Sequence, residues 1–103
     1  MNIKNVNYNT KTILNLFKEY PHLQCDAYRN GNINAVEVIT DLDLLLDSAN
    51  LTPNQYVVFD YYYRKGFTQQ ETADELGVSR IAVLKALGFA EKKILSKVKE
   101  WGE

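Results

Sequence analysis

The second half of the chain carries helix start and stop signals at such short intervals that three closely joined helices are the simplest structure it fits. The start signals are side chains that cap free backbone N–H groups, and the stop signals are glycines, which adopt the left-handed backbone that ends a helix. In chain order the signals are Thr52 with Pro53, Gly66, Thr68 with Glu71, Gly77, and Ser79. They predict helices over residues 53–65, 69–76 and 80–101.

The first half is less clearly punctuated. Asn9 or Thr10 is a candidate cap for a helix over residues 10–20 that Pro21 ends, and residues 1–9 form a loose lead-in. The turn-rich residues 29–32 predict that the segment from residue 21 to 32 is a loop. Asn34 is then a candidate cap for an amphipathic helix with an acidic outer face, which runs to about residue 48.

These elements predict a single all-α domain of about five helices over residues 1–103. The chain is short for two cores, and its 5 glycines and 2 prolines disfavour a turn-rich β fold. The N-terminal part, residues 1–50, is expected to serve interaction or dimerisation, and residues 51–103 hold the three closely joined helices. No segment approaches the roughly 20 apolar residues that cross a bilayer, so we expect no membrane partner.

The net charge of −1 comes from two oppositely charged segments. Residues 34–51 contain four carboxylates and no basic residue, for −4, whereas residues 80–99 contain six basic residues and one glutamate, for +5. A basic C-terminal segment is compatible with nucleic acid despite the neutral total. If it binds DNA, the acidic helix must lie away from Lys85 and Lys92. The acidic face is either solvated or packed on the basic helix, and the sequence leaves both alternatives open.

Catalytic, metal and cofactor sites find no support in the residues. The sequence has no Gly-rich phosphate loop and one histidine, and the pair His22 and Cys25 is too small a set for zinc. We therefore expect no enzyme activity and no cofactor. Cys25 is expected to be a half-buried structural thiol. The single cysteine and the absence of a signal-peptide pattern predict a cytoplasmic protein. The aromatic side chains of residues 59–63 are expected to be mainly core rather than a stacking platform for bases.

The short helix, the turn of residues 77–79 and the long helix together have the form of a helix-turn-helix, in which the second helix enters the major groove of DNA. Val78 is expected to fill the corner between the helices. At 100° per residue, one stripe of the long helix is apolar and the opposite face points outward. The apolar stripe consists of Val83, Leu87, Ala90 and Ile94, and the outward face of Ile81, Lys85, Gly88 and Lys92.

Residues 51–94, LTPNQYVVFDYYYRKGFTQQETADELGVSRIAVLKALGFAEKKI, resemble region 4 of bacterial sigma factors. The whole chain resembles small sigma-like transcription regulators of phages and prophages. The resemblance implies double-stranded DNA as partner and base contacts from Arg80 and Lys85; Ile81 is added as a contact to a thymine methyl group. Residues expected at the DNA backbone are Arg64, Lys65, Thr68, Gln69, Ser79, Lys92 and Lys93.

Two further expectations concern partners. A domain of this size covers few base pairs, so useful affinity requires a homodimer or tethering to RNA polymerase, with the N-terminal helices as the second contact. The outward face of the long helix also holds Ile81 and Leu84, which are apolar where the family is commonly polar or charged. The alternative function is therefore a module that binds RNA polymerase, a sigma factor or another regulator through this face.

Overall fold

The computed structural model describes residues 10–102, and these residues form six helices and no strand. The helices are α1 (Thr10–Lys18), α2 (Tyr20–Asn30), α3 (Ile33–Ser48), α4 (Pro53–Phe59), α5 (Gln69–Leu76) and α6 (Arg80–Gly102). A π-helical segment, Asp60–Arg64, continues α4. The all-α prediction is confirmed. The predicted lead-in, residues 1–9, and the candidate cap Asn9 lie outside the described residues.

Helix α2 occupies the segment that the sequence predicted to be a loop, and that prediction is wrong. Pro21 does follow α1, but it lies in the first turn of α2, where the absent N–H is not needed. Gly31, with φ 64°, ends α2 in the left-handed conformation. The turn-rich residues 29–32 therefore mark the end of a helix and not a loop of twelve residues.

The start and the acidic face of α3 also differ from prediction. Its cap is Asn32 and not Asn34, because the Asn32 side chain accepts hydrogen bonds from the N–H groups of Asn34 and Ala35. Asp41 is buried, 3% exposed, so the carboxylates of α3 do not all lie on a solvated face. Asp43 accepts hydrogen bonds from Tyr20 and Arg64. Helical spacing alone did not reveal the burial of Asp41 or the hydrogen bonds of Asp43, because it gives a side chain's direction but not its neighbours.

The core lies where α1, α3, α4 and α5 pack on α6, and the π segment packs against α1, α2 and α4. Its aromatic centre is Phe17, Phe59 and Tyr63, with Phe59 and Tyr63 stacked at 4.3 Å between ring centroids and Phe17 edge-on to Phe59 at 4.9 Å. From α6 the core takes the apolar stripe predicted from spacing, all of it buried. Because α6 buries one side along its length, its other side is left to solvent.

Candidate nucleic-acid interface

The turn between α5 and α6 is built from local hydrogen bonds that the sequence predicts. Thr68 accepts from the N–H of Glu71 at 3.0 Å, and the Glu71 carboxylate accepts from the N–H of Thr68 at 2.9 Å, which completes the capping box. Gly77 ends α5 with φ 67°. The Ser79 hydroxyl accepts from the N–H of Ala82 and so caps α6. These local bonds fix where α5 begins and ends and where α6 begins.

Val78 does not fill the corner of this turn, contrary to prediction, because its side chain is 42% exposed. The side chains buried at the start of the two helices are Thr72 and Ala73 of α5 and Val83 of α6. Ala73 is small enough for close approach of the helices, and the Thr72 hydroxyl donates to the Thr68 carbonyl. The corner is closed without Val78, which joins the exposed surface.

The exposed face of α6 is the one predicted from the helical period. Ile81 is 66% exposed, Lys85 and Lys92 are exposed, and Gly88 is partly so. Arg80, the first residue of α6, is also exposed. Two apolar side chains widen the face, Leu84 at 44% and Phe89 at 57% exposure. The surface is therefore mixed, with cations set among exposed apolar groups.

The cations of this face are not neutralised by neighbouring side chains. The side chains of Arg80, Lys85 and Lys92 form no ion pair or hydrogen bond with any other described residue. The carboxylate of α6 closest in sequence to Lys92, Glu91, instead accepts a hydrogen bond from the buried hydroxyl of Tyr63. Burial and this bond raise the pKa of Tyr63. The positive charge of the face is thus available to an anionic partner.

Arg64, expected at the DNA backbone, is placed differently. Its guanidinium group donates to Asp60 at 2.6 Å, to Asp43 at 2.8 Å and to the Tyr56 hydroxyl at 2.9 Å. Its side chain is 19% exposed. Burial opposes the charged form, but the hydrogen bonds to the two carboxylates outweigh this and raise the pKa of Arg64. The group joins α3, α4 and the π segment, which leaves little of it for a phosphate.

Lys65 and Lys93 are partly engaged. The Lys65 ammonium group lies 4.0 Å from the Tyr61 ring centroid and 3.9 Å from Asp60. The Lys93 ammonium group donates to the Gln55 side chain at 2.9 Å and to the Asn50 carbonyl at 3.3 Å. Their expected contact with the DNA backbone stays a prediction, and it would compete with these interactions.

The hydrogen bonds of the acidic helix α3, and of the chain that follows it, are made to residues away from the start of α6. Asp43 contacts Tyr20 and Arg64, and the chain that follows α3 meets α6 at Lys93, through the Asn50 carbonyl. Lys93 is about two helical turns beyond Lys85. Because Lys93 directly follows Lys92 and α3 also packs on α6, the separation of the acidic face from Lys85 and Lys92 stays a prediction.

A cleft of 610 Å³ lies beside the start of α6, and it includes a residue that the sequence did not single out. Lys18, the last residue of α1, lines it together with Thr68, Gln69 and Arg80. Nothing in its local pattern distinguishes Lys18 from any solvated lysine, since its neighbours in the cleft are 44 or more residues away in sequence. Only the packing of α1 on the rest of the fold brings it there.

The candidate chemistry of His22 and Cys25 gains nothing from the structure. Both side chains are exposed, and the prediction of a half-buried thiol is wrong because α2 buries Tyr20 and Ala27 and turns Cys25 outward. Among residues 10–102 no three His, Cys, Asp or Glu side chains are grouped to hold a metal ion. In the same part of the chain, no helix is both long and apolar enough to cross a bilayer.

Comparisons with protein-family models, with curated proteins and with solved structures found no match to this chain. Function is therefore argued from the exposed face of α6, from the cleft beside it and from the residues that form them.

Proposed function

We propose that the chain is a DNA-binding transcription regulator in which α5 and α6 act as a helix-turn-helix of the sigma region 4 kind. The observation that carries the proposal is the exposed face of α6, where Arg80, Lys85 and Lys92 have no partner among the described residues. A major groove about 12 Å wide admits one α-helix, and DNA phosphates attract unpaired cations. A helix that buries one side on the core and exposes cations on the other suits both requirements.

The roles follow from position along α6. Recognition helices contact base edges with residues near their N-terminus, so Ile81 and Lys85, in the first two turns, are the base contacts. Lysine donates to the O6 and N7 acceptors of guanine, and an apolar side chain such as Ile81 packs on a thymine methyl group. Lys92, two turns further on, contacts the phosphate backbone. Because so few side chains contact bases, the protein recognises a short DNA sequence.

One copy of the protein that contacts only a short DNA sequence binds it weakly. Linking a second contact to the first raises overall affinity without new contacts in the groove. That contact is either a second copy bound at an adjacent half-site or RNA polymerase held by the N-terminal helices. In either case residues 10–50 supply the link and α6 supplies the DNA contact.

A second function is favoured by a specific observation. Val78, Ile81, Leu84 and Phe89 are all between 42% and 66% exposed, which is unusual for apolar side chains spaced closely along one stretch of chain. In this alternative the face packs on RNA polymerase or another regulator. Leu84→Ser would then weaken binding of purified RNA polymerase, and it would leave duplex binding unchanged.

Affinity for duplex DNA as a function of salt tests the proposal. Neutralisation of phosphates by Arg80 and Lys92, with Lys85 on the bases, predicts a slope of log K on log salt near −1.8, or roughly a 12-fold loss between 50 and 200 mM salt. Lys85→Ala should reduce discrimination between sequences, whereas Lys99→Ala, about 28 Å from the start of α6, is the matched control and should change neither affinity nor preference. An absence of duplex binding at 50 mM salt would contradict the proposal.

A further inference from the structure

The cleft beside the start of α6 is formed by elements from both halves of the chain. Lys18 comes from α1, two tyrosines from the π segment, and the remainder from residues 66–70 and the first residue of α6. The full lining is Lys18, Tyr62, Tyr63, Gly66, Phe67, Thr68, Gln69, Gln70 and Arg80. This set includes two cations and no carboxylate, so the cleft is a positively charged concave surface.

Neither cation is paired with a carboxylate of the described residues. Lys18 and Arg80 are both exposed, and their side chains form no ion pair or hydrogen bond with a described residue. The contrast with Arg64 is informative, because that guanidinium group is surrounded by two carboxylates and a tyrosine hydroxyl. Two like charges at one cleft repel each other, and an anion placed between them removes that repulsion.

Several polar groups around the two cations can donate a hydrogen bond. The Tyr62 hydroxyl has no hydrogen-bond partner among the described residues. The capping box of Thr68 uses the N–H of Glu71, so the N–H groups of Gln69 and Gln70 at the first turn of α5 have no helical acceptor. The carboxylate of Glu71 is held against the Thr68 N–H and does not line the cleft. Donors from three elements therefore surround one concave site.

We propose that this cleft holds a phosphate group of the DNA strand next to the groove that α6 enters, with Lys18 and Arg80 as its charged contacts. The proposal rests on the function proposed above and extends it in two ways. Lys18 makes the N-terminal part of the chain a direct component of the DNA interface. Arg80 contacts the backbone instead of reading bases, which replaces the role that the family resemblance implies for it.

Affinity and sequence preference of Lys18→Ala and Arg80→Ala, measured on a panel of duplexes, test this assignment. Loss of one phosphate contact reduces the steepness of the salt dependence by about 0.9. If the variant and the unaltered protein bind equally at 1 M salt, the variant should therefore bind about eightfold more weakly at 0.1 M salt. The loss should be the same for every sequence. Lys99→Ala serves as the control, and helical content by circular dichroism checks that each variant is folded.

The outcomes separate this inference from the function on which it rests. If the unaltered protein binds no duplex, both fall. If it binds and Lys18→Ala behaves as Lys99→Ala does, the cleft assignment is wrong and DNA binding by α6 stands. If Arg80→Ala changes which sequences are preferred, Arg80 reads bases and the cleft does not hold a phosphate through it. Uniform weakening by both variants, with smaller salt slopes, supports the assignment.

Discussion

Replacing Arg64 with alanine should destabilise the whole domain. The guanidinium group makes three hydrogen bonds, two of them to carboxylates, at 2.6 to 2.9 Å. Removing one member of a buried ion pair costs about 3–5 kcal/mol, because the remaining charges lose their partner while still partly shielded from water. The side chains of this cluster are 19% to 39% exposed and rehydrate in part, so a smaller loss of about 2 kcal/mol is expected.

A loss of this size is large for a domain of 103 residues, whose free energy of unfolding is about 5–15 kcal/mol. Urea denaturation followed by circular dichroism measures it directly, and the midpoint should fall at an unchanged slope. Lys65→Ala is the matched control. Its side chain is 49% exposed and its ammonium group lies 3.9 Å from Asp60, so the change should cost well under about 1 kcal/mol.

A double-mutant cycle isolates the pair. Asp43→Ala combined with Arg64→Ala should cost less than the sum of the single changes, because either one alone removes the Asp43 to Arg64 contact. An Arg64→Ala protein of unchanged stability would refute this account of Arg64. If this variant kept its stability but bound DNA more weakly than the unaltered protein, Arg64 would contact the DNA backbone, as the sequence predicted.

The remaining predictions concern the turn, a buried carboxylate and a cap. Gly77→Ala should lower the free energy of unfolding by about 1–2 kcal/mol and Gly77→Asn by less, since nothing lies within 4 Å of an added Cβ and only the left-handed backbone is unfavourable; equal losses in urea denaturation would contradict this. Burial and the nearby Glu37 raise the pKa of Asp41, and its Oδ2 has no hydrogen-bond partner among residues 10–102. Stability should therefore fall as pH rises through that pKa, so Asp41→Asn should be about 1 kcal/mol more stable at pH 7, with the gap closing in acid. A stability difference between Asp41→Asn and the unaltered protein that does not depend on pH would contradict this prediction. Thr68→Ala should cost about 1 kcal/mol and Thr68→Ser little, as thermal unfolding would report.

The second half of the chain was predictable because its structure is set by local contacts. The Thr68 cap bonds a residue three positions away, and Gly77 and Ser79 act within one turn. Such signals are visible in the sequence itself. The exposed and buried faces of α6 followed from helical period for the same reason.

Helix α2 was missed because two local signals conflicted. Proline and a glycine-containing turn are typical of loops, but both are also tolerated at the ends of a helix, Pro21 in its first turn and Gly31 at its cap. What decides between these outcomes is burial of Tyr20 and Ala27 against the rest of the domain. That packing is a tertiary effect, which periodicity over eleven residues does not reveal.

The charges of the candidate site were the least predictable feature. Arg64 and Lys18 are both basic residues near helix ends, yet one is neutralised by Asp43, 21 positions away, and the other lies unpaired at a cleft with Arg80. Sequence gives the number of cations in a segment. Which of them remain available to a phosphate depends on contacts between elements distant in the chain.

Selection of bound sequences from a random duplex library is the most direct test of the central claim that α6 reads DNA in the major groove. The unaltered protein should enrich one short sequence, the Lys99→Ala control should enrich the same sequence, and Lys85→Ala should lose preference at one position of it. Failure of the unaltered protein to enrich any sequence, or enrichment of an identical sequence by Lys85→Ala, would contradict the claim.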